Sequence, residues 1–284
     1  MAVACLHHVE DLAVRDDAAR SELDRFTRAR DRDLRGNDGL FLVESPRVVR
    51  RFLRSSWRCR SLVATPEEWP SIEPLAAARP EPIDVFLIAH DALTILSGYR
   101  LHGGALALGE RTRWPPSATA LIERLPSDGP LTILVAERVV QVDNVGAMLR
   151  AAACFGAAGV LFDDPCADPL LRKAIRFSMG RVFDVPWGFS RDLGGDLERL
   201  RERDIEPVAI ELTPDARPLA RLERDGRVAL VFGGETHGIS EPILAACRER
   251  YAIPNAGPDE DGEERSLNVA VAAAIALHQR AVAS

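Results

Sequence analysis

Two uninterrupted apolar runs, 131–136 (LTILVA) and 228–232 (VALVF), constrain this 284-residue chain more than any other feature. Neither alternates apolar with polar residues, the mark of strands covered on both faces, as in parallel sheets flanked by helices. The sequence around them has the matching rhythm. Asn144 is placed to cap a helix over 145–155, which Gly156 stops, and strand 159–162 follows. Further along, the pattern predicts a basic helix at 169–177, a strand at 182–185, a helix at 193–203 and a strand at 207–210. After 228–232 come a helix at 242–247, a strand at 251–253 and an apolar helix opening at Ser266. Strands alternating with helices predict an α/β domain with a parallel sheet.

The first half predicts a smaller α/β unit. Residues 10–35 alternate charge densely and read as a solvated helix with a narrow apolar edge, ended by turn residues at 36–39. Strand 40–43 precedes a helix opened by Pro46, with Val48, Val49, Phe52 and Leu53 on its core face and Arg47, Arg50, Arg51 and Arg54 on the other. Strands follow at 61–64, 83–88 and 105–108. Pro-Pro and Ser-Asp-Gly-Pro within 110–130 mark a boundary. The expected organisation is a domain over 1–112, a linker over 113–130 and a second domain over 131–284.

Charge is unevenly spread. The net charge is −7, yet between Arg47 and Arg60 six arginines occur with no acid, a face suited to phosphate. The longest apolar run, 269–277, is too short to span a bilayer, and no basic-then-apolar leader opens the chain, so a cytoplasmic protein without a membrane partner is expected. Five dispersed cysteines with no CxxC pair argue against a disulfide framework and against a zinc site, and no metal is expected.

Three places carry polar residues that a core does not need. The loop 233–238 (GGETHG) ends a buried strand, where open α/β sheets bind ligands. It is either a plain tight turn or a point of close backbone approach, and it lacks both dinucleotide and Walker spacing. Arg150, in the apolar setting MLRAAA, is either a surface residue laid along the helix or one aimed into a cleft. Ser266 is a natural N-cap of the last helix, and Asn268 follows where an Ala/Val face has no use for it.

Taken together, NVGAMLRAAACFGAAGV, LVFGGETHGIS and IPNAG…RSLNVAVAAAIAL resemble the three ordered motifs of the SpoU/TrmH branch of SPOUT RNA methyltransferases. RFSMGRVFDVP resembles the segment between the first two motifs. DGLFLVESPRVVRRFL and GGALALGER are similar, more loosely, to the substrate-binding domain of rRNA-type members. The resemblance implies an α/β domain with a C-terminal trefoil knot, S-adenosylmethionine as cofactor, RNA as partner and a homodimer. It implies that Gly233, Gly234, Gly238, Ile253 and Leu267 frame the cofactor. Asn144, Arg150, Glu235, Ser266 and Asn268 match the residues associated with RNA and catalysis. The implied reaction is methyl transfer to a ribose 2′-hydroxyl, of ribosomal RNA in preference to tRNA. Base methylation and a non-catalytic RNA-binding protein are the rivals. Departures from the pattern are Ser45 for a usual glycine, Asn255 for Met, Ala270 for Ser, His237 in the glycine loop, and five acids inserted over 258–264.

Overall fold

The two apolar runs lie side by side. In the computed structural model, strands Leu131–Ala136 and Arg227–Phe232 pair in parallel, Leu131 opposite Arg227 and Ala136 opposite Phe232. The structure describes residues 3–9, 16–27, 31–35, 39–98, 103–111, 116–223, 225–257 and 265–281. In chain order the elements are β1 (Val3–Val9), α1 (Asp17–Asp24), the single turn α2 (Asp31–Asp33), β2 (Leu40–Glu44), α3 (Pro46–Arg54), β3 (Cys59–Ala64), α4 (Trp69–Ala77), β4 (Ile83–Ile88), α5 (His90–Ser97) and β5 (Ala105–Glu110). Then follow α6 (Ala118–Arg124), β6 (Leu131–Ala136), α7 (Val142–Phe155), β7 (Gly159–Asp163), α8 (Arg172–Phe177), β8 (Trp187–Ser190), α9 (Leu193–Arg201), β9 (Glu206–Ile210) and β10 (Arg217–Pro218). β11 (Arg227–Phe232), α10 (Glu241–Ala246), β12 (Glu249–Ala252) and α11 (Val269–Ala281) complete the chain.

Two compact units result, Met1–Trp114 with Leu170–Phe183, and Pro115–Pro169 with Asp184–Ser284. In the second, seven strands run in the order β10-β12-β9-β11-β6-β7-β8, and every pairing is parallel. Side chains alternate across such a sheet. Ile133, Val135, Leu161, Ala229 and Val231 face a core built with Leu121, Leu197, Leu200 and Ile243 of α6, α9 and α10. α7 and α11 pack on each other and against β6, β7 and β11. Gly156, at φ 71°, ends α7 in the left-handed conformation that glycine adopts freely.

The first unit departs from the expected parallel pattern. Its sheet, β1-β4-β3-β5-β2, is mixed: β4 pairs in parallel with β1 and β3, whereas β5 is antiparallel to β3 and β2. β1 was not expected from the half-polar segment VACLHHV, and the helix expected over 10–35 is confined to α1 and the turn α2 among the described residues. The stretch expected as a linker holds α6, capped by Ser117 Oγ accepting from Ala120 N at 3.1 Å. Leu121, Ile122 and Leu125 bury that helix in the second unit's core. The strand expected at 182–185 is instead a 3-10 turn, Arg181–Phe183. Phe183 sits 5.8 Å from the Phe41 ring and 5.1 Å from Phe52, so aromatic packing draws 170–183 into the first unit and the strand forms later, as β8.

Ser45 sits at φ 80°, ψ 141°, a region open to glycine and strained for serine, and its side chain makes no cap hydrogen bond. Ser45→Gly is expected to raise unfolding free energy by about 1 kcal/mol, strain relief exceeding the added freedom of the unfolded chain. Equilibrium urea denaturation measures this, and an unchanged or lowered midpoint contradicts it.

Burial pushes the thiols of Cys59, Cys166 and Cys247 up, the last to about 12 from an ordinary 9.0. The folded chain keeps these protons where the unfolded chain loses them. The stability they contribute is complete below pH 9 and is lost as pH rises, by up to about 1.4 kcal/mol per pH unit for each thiol. Denaturation between pH 8 and pH 11 is expected to show this fall, shallower by one thiol's share in Cys247→Ala. An unaltered slope in that variant rules the thiol out as a source.

Candidate active site

The carboxyl ends of β9, β11 and β12 open into a cavity of about 460 Å³. Ile210, Glu211 and Leu212 line it after β9, and Phe232, Gly233, Gly234, Glu235, Thr236 and Gly238 after β11. Ile253 and Asn255 follow from β12, and Arg265, Ser266, Leu267, Asn268, Val269 and Ala272 from the start of α11. Gln141, just before α7, and Asn144 of its first turn close one side. One wall is therefore apolar, and the other end carries amides and carboxylates.

Those polar groups are ordered into a chain. Asn144 is buried and donates from Nδ2 to Glu235 Oε1 at 2.6 Å. Asn144 Oδ1 accepts from Asn268 Nδ2 at 2.9 Å. Asn268 Oδ1 in turn accepts from Ala270 N at 2.9 Å and Val271 N at 3.3 Å. Each amide gives its NH2 toward Glu235 and its carbonyl toward α11, so both orientations are set by the donor inventory. The carboxylate anchors one end and the helix N-terminus the other.

This arrangement corrects two assignments. Asn268, not Ser266, caps α11, which begins at Val269. Asn144 is not a cap either: α7 begins at Val142 after Gln141, and Asn144 faces inward from its first turn. Ser266 is exposed at the cavity rim. Of the ten residues singled out in the sequence, the cavity brings together Asn144, Gly233, Gly234, Glu235, Gly238, Ile253, Ser266, Leu267 and Asn268. It does not include Arg150. Six residues beyond Asn144, an α-helix has turned about 240° further round, onto a different face. Arg150 is exposed there, and among the described residues it makes no hydrogen bond or ion pair.

The structure adds residues that the sequence left unremarked. Glu211 accepts from Leu212 N and from Ile239 N, both at 3.0 Å, and so ties the glycine loop to the end of β9. A carboxylate just past the predicted strand 207–210 was the available signal, since ligands gather at such strand ends. Buried Glu137 accepts from Ser240 N at 2.8 Å and holds the far side of the same loop. Asn255, one of the departures from the family pattern, donates to Arg265 O and accepts from Gly257 N, both at 2.8 Å. It ties the two ends of the segment containing the acidic insert, whose residues 258–264 lie outside those described.

In the first unit, the arginine face is partly spent on internal pairing. Arg50 binds Glu68 and Ser71, Arg51 donates to Met179 O at 2.7 Å, Arg58 pairs with Glu110, and Arg60 pairs with Glu22. Arg47 and Arg54 are exposed and have no hydrogen bond or ion pair among the described residues. On α8, exposed Phe177 lies 5.7 Å from Lys173 Nζ and 6.0 Å from the Arg176 guanidinium.

A parallel α/β sheet with a cavity at its strand ends, walled by a glycine loop and a fixed amide chain, has the layout of a ligand-binding α/β domain. Residues 131–278 match the model of the SpoU rRNA Methylase family, and the chain belongs to that family of RNA methyltransferases. An uncharacterized tRNA/rRNA methyltransferase of Mycobacterium bovis is 30% identical over 289 residues, 97% of this chain and 94% of that protein. The 23S rRNA (guanosine-2′-O-)-methyltransferase RlmB of Acinetobacter baylyi is 27% identical over 206 residues, 72% of this chain and 81% of that one. Among solved structures, the AdoMet-bound rRNA methyltransferase from Sinorhizobium meliloti shares the fold with a TM-score of 0.76 at 21% identity, covering 97% of each chain. The SpoU methyltransferase AviRb from Streptomyces viridochromogenes, in complex with AdoMet, gives 0.73 at 22% identity over 94% of this chain and 98% of that one. Methyltransferases of this family use S-adenosylmethionine. Among the described residues, no helix is long and apolar enough to cross a membrane.

Proposed function

We propose that this chain is a cytoplasmic, homodimeric enzyme that transfers a methyl group from S-adenosylmethionine to a ribose 2′-hydroxyl of ribosomal RNA. The observation that carries the proposal is the chain Glu235–Asn144–Asn268 along one end of the cavity. The donor set fits the cofactor: Ile210, Leu212, Phe232, Ile253 and Leu267 offer an apolar wall for an adenine and a thioether. Gly233 and Gly234 leave main-chain groups uncovered for polar contacts. Bound there, S-adenosylmethionine supplies a methyl already activated on a sulfonium, so the hydroxyl oxygen gains the methyl and loses its proton as the sulfur becomes a neutral thioether.

The protein's work is then positioning. Of the two carboxylates in the cavity, Glu211 is taken up by two backbone N–H groups, whereas Glu235 uses one oxygen on Asn144. We assign its second oxygen to accept from the ribose hydroxyl, and Ser266 and Asn268 to orient the sugar. Arg150 clamps the adjoining phosphate; a guanidinium does not give up its proton and is not the base. The exposed position of Arg150 suits a site completed by a second subunit. Val271 and Ile275, 47% and 37% exposed and one turn apart on α11, supply an apolar strip for that contact. Passage of the segment after β12 through a trefoil knot is part of the same proposal, resting on the family resemblance and on a cavity assembled from the ends of three parallel strands.

Ribosomal RNA as substrate is supported by the Acinetobacter relative, whose similarity extends over 72% of this chain. The first domain, residues 1–112, is assigned to RNA binding. Arg47 and Arg54 supply sequence-independent attraction for phosphate, and the Lys173–Phe177–Arg176 group offers a stacking face with flanking charge.

Arg150→Lys keeps the charge and loses the planar fork. Turnover is expected to fall about 10²-fold, the scale of a misplaced substrate, with cofactor affinity unchanged. Full turnover in this variant contradicts the clamp. Calorimetry of the wild-type chain with S-adenosylmethionine tests the wider proposal. Saturable one-to-one binding is expected, and no heat at millimolar ligand points instead to a non-catalytic RNA-binding module.

A further inference from the structure

The edge strand β1 presents metal-binding chemistry that the methyl-transfer site does not use. Among the described strands β1 pairs only with β4, and its register shifts between Val3 and Cys5, a local bulge that sets Cys5 opposite Asp84. Residues two apart on a strand share a face, so His7 stands beside Cys5. One ligand atom from each of Cys5, His7 and Asp84 lies within 4.8 Å of the others. The His7 ring is stacked on buried Phe86, with centroids 5.0 Å apart and planes inclined by 15°, which holds the imidazole in a defined plane. Among the described residues, none of the three side chains makes a hydrogen bond or ion pair. A thiol, an imidazole and a carboxylate thus converge with their donor atoms uncommitted.

We propose that Cys5, His7 and Asp84 bind a divalent cation of the zinc class and clasp β1 to β4. Thiolate, imidazole and carboxylate are the donor types zinc takes in tetrahedral sites, at roughly 2.0–2.3 Å, and three protein ligands leave the fourth position to water. Ligand atoms around such an ion stand roughly 3.3–3.8 Å apart, so modest rotamer adjustment closes the observed spacing. On binding, the Cys5 thiol passes its proton to the buffer and coordinates as thiolate. The gain falls on an edge strand, which among the described strands pairs with β4 alone. A search for CxxC spacing misses this set because one ligand is a histidine two residues on and the other arrives from a strand about eighty residues away.

The full-length protein, stripped with a chelator, tests the proposal. Zinc is titrated against a chromophoric chelator, and cobalt(II) is added in parallel as an optical probe. One equivalent of zinc is expected, together with a near-ultraviolet thiolate-to-cobalt band. Zinc affinity is expected to fall at least about tenfold in Cys5→Ser and in Asp84→Asn, since even outer partners of metal ligands are worth that much. Zinc should raise the thermal midpoint of the wild type but not of Cys5→Ser. Cys154→Ser, which removes the other exposed thiol, should leave all of this unchanged. Absence of stoichiometric zinc binding, a cobalt spectrum without the thiolate band, or zinc affinity that survives Cys5→Ser overturns it. The cobalt spectrum of the wild type decides the matter even if a variant fails to fold.

Discussion

Asn268→Asp is expected to leave the C-terminal helix intact while lowering turnover about a hundredfold. Asn268 has two separable tasks. Its Oδ1 caps α11 through Ala270 N and Val271 N, and its Nδ2 donates to Asn144 Oδ1. A carboxylate keeps the first, because aspartate caps as well as asparagine and its charge suits a helix N-terminus. It removes the second and sets an acceptor against the Asn144 carbonyl. If Asn144 turns its amide over to answer, its carbonyl faces Glu235 instead, so one junction fails whichever way it points. Each mismatch costs about 1–3 kcal/mol at a buried polar group. Asn268→Ala loses the cap as well and should cost about 1 kcal/mol of stability in addition. Thermal melts and single-turnover rates on both variants separate the two tasks. A fully active Asp variant shows that the amide chain does not position the substrate.

Gly233→Ala is expected to weaken cofactor binding by about two orders of magnitude or more, as about 3 kcal/mol of overpacking implies. A Cβ on Gly233 meets Gly238 C at 1.9 Å and Ile239 N at 2.1 Å. These are backbone atoms of the same loop, which folds back so that Gly238 N donates to Gly234 O at 3.1 Å. Relief would require the loop to open. Glu211 and Glu137 hold its far end at Ile239 and Ser240, so opening spreads into the cavity wall. Gly226→Ala, where a Cβ meets nothing within 4 Å, is the control and should bind the cofactor normally. Equal affinity in the two variants contradicts the crowding argument.

The second unit was more legible than the first for a physical reason. Apart from Thr132, residues 131–136 and 228–232 are apolar because helices cover both faces of the sheet, and no competing pattern obscures them. The first unit mixes parallel and antiparallel pairs, and its edge strand β1 carries Cys5, His7 and His8 at positions that local pattern does not mark as strand. Phe183 illustrates a different loss. Its neighbourhood predicts a strand, but burial against Phe41 and Phe52 outweighs local preference. At the site, the residue types were readable and their geometry was not. Ser266 and Asn268 are both competent caps two positions apart, and only the hydrogen bond to Asn144 shows why the second one serves. Glu211 is marked only by its place just past a predicted strand, and Glu137 acts on a loop about a hundred residues away, so nothing local identifies it.

The stability of the product to alkali reads directly where the methyl goes. The purified chain is incubated with ribosomal RNA and methyl-tritiated S-adenosylmethionine, and the RNA is then hydrolysed in base. A 2′-O-methyl group removes the internal nucleophile that cleaves the adjacent phosphodiester. The label is expected in alkali-resistant dinucleotides. Label in mononucleotides would place the methyl on a base and contradict transfer to the ribose.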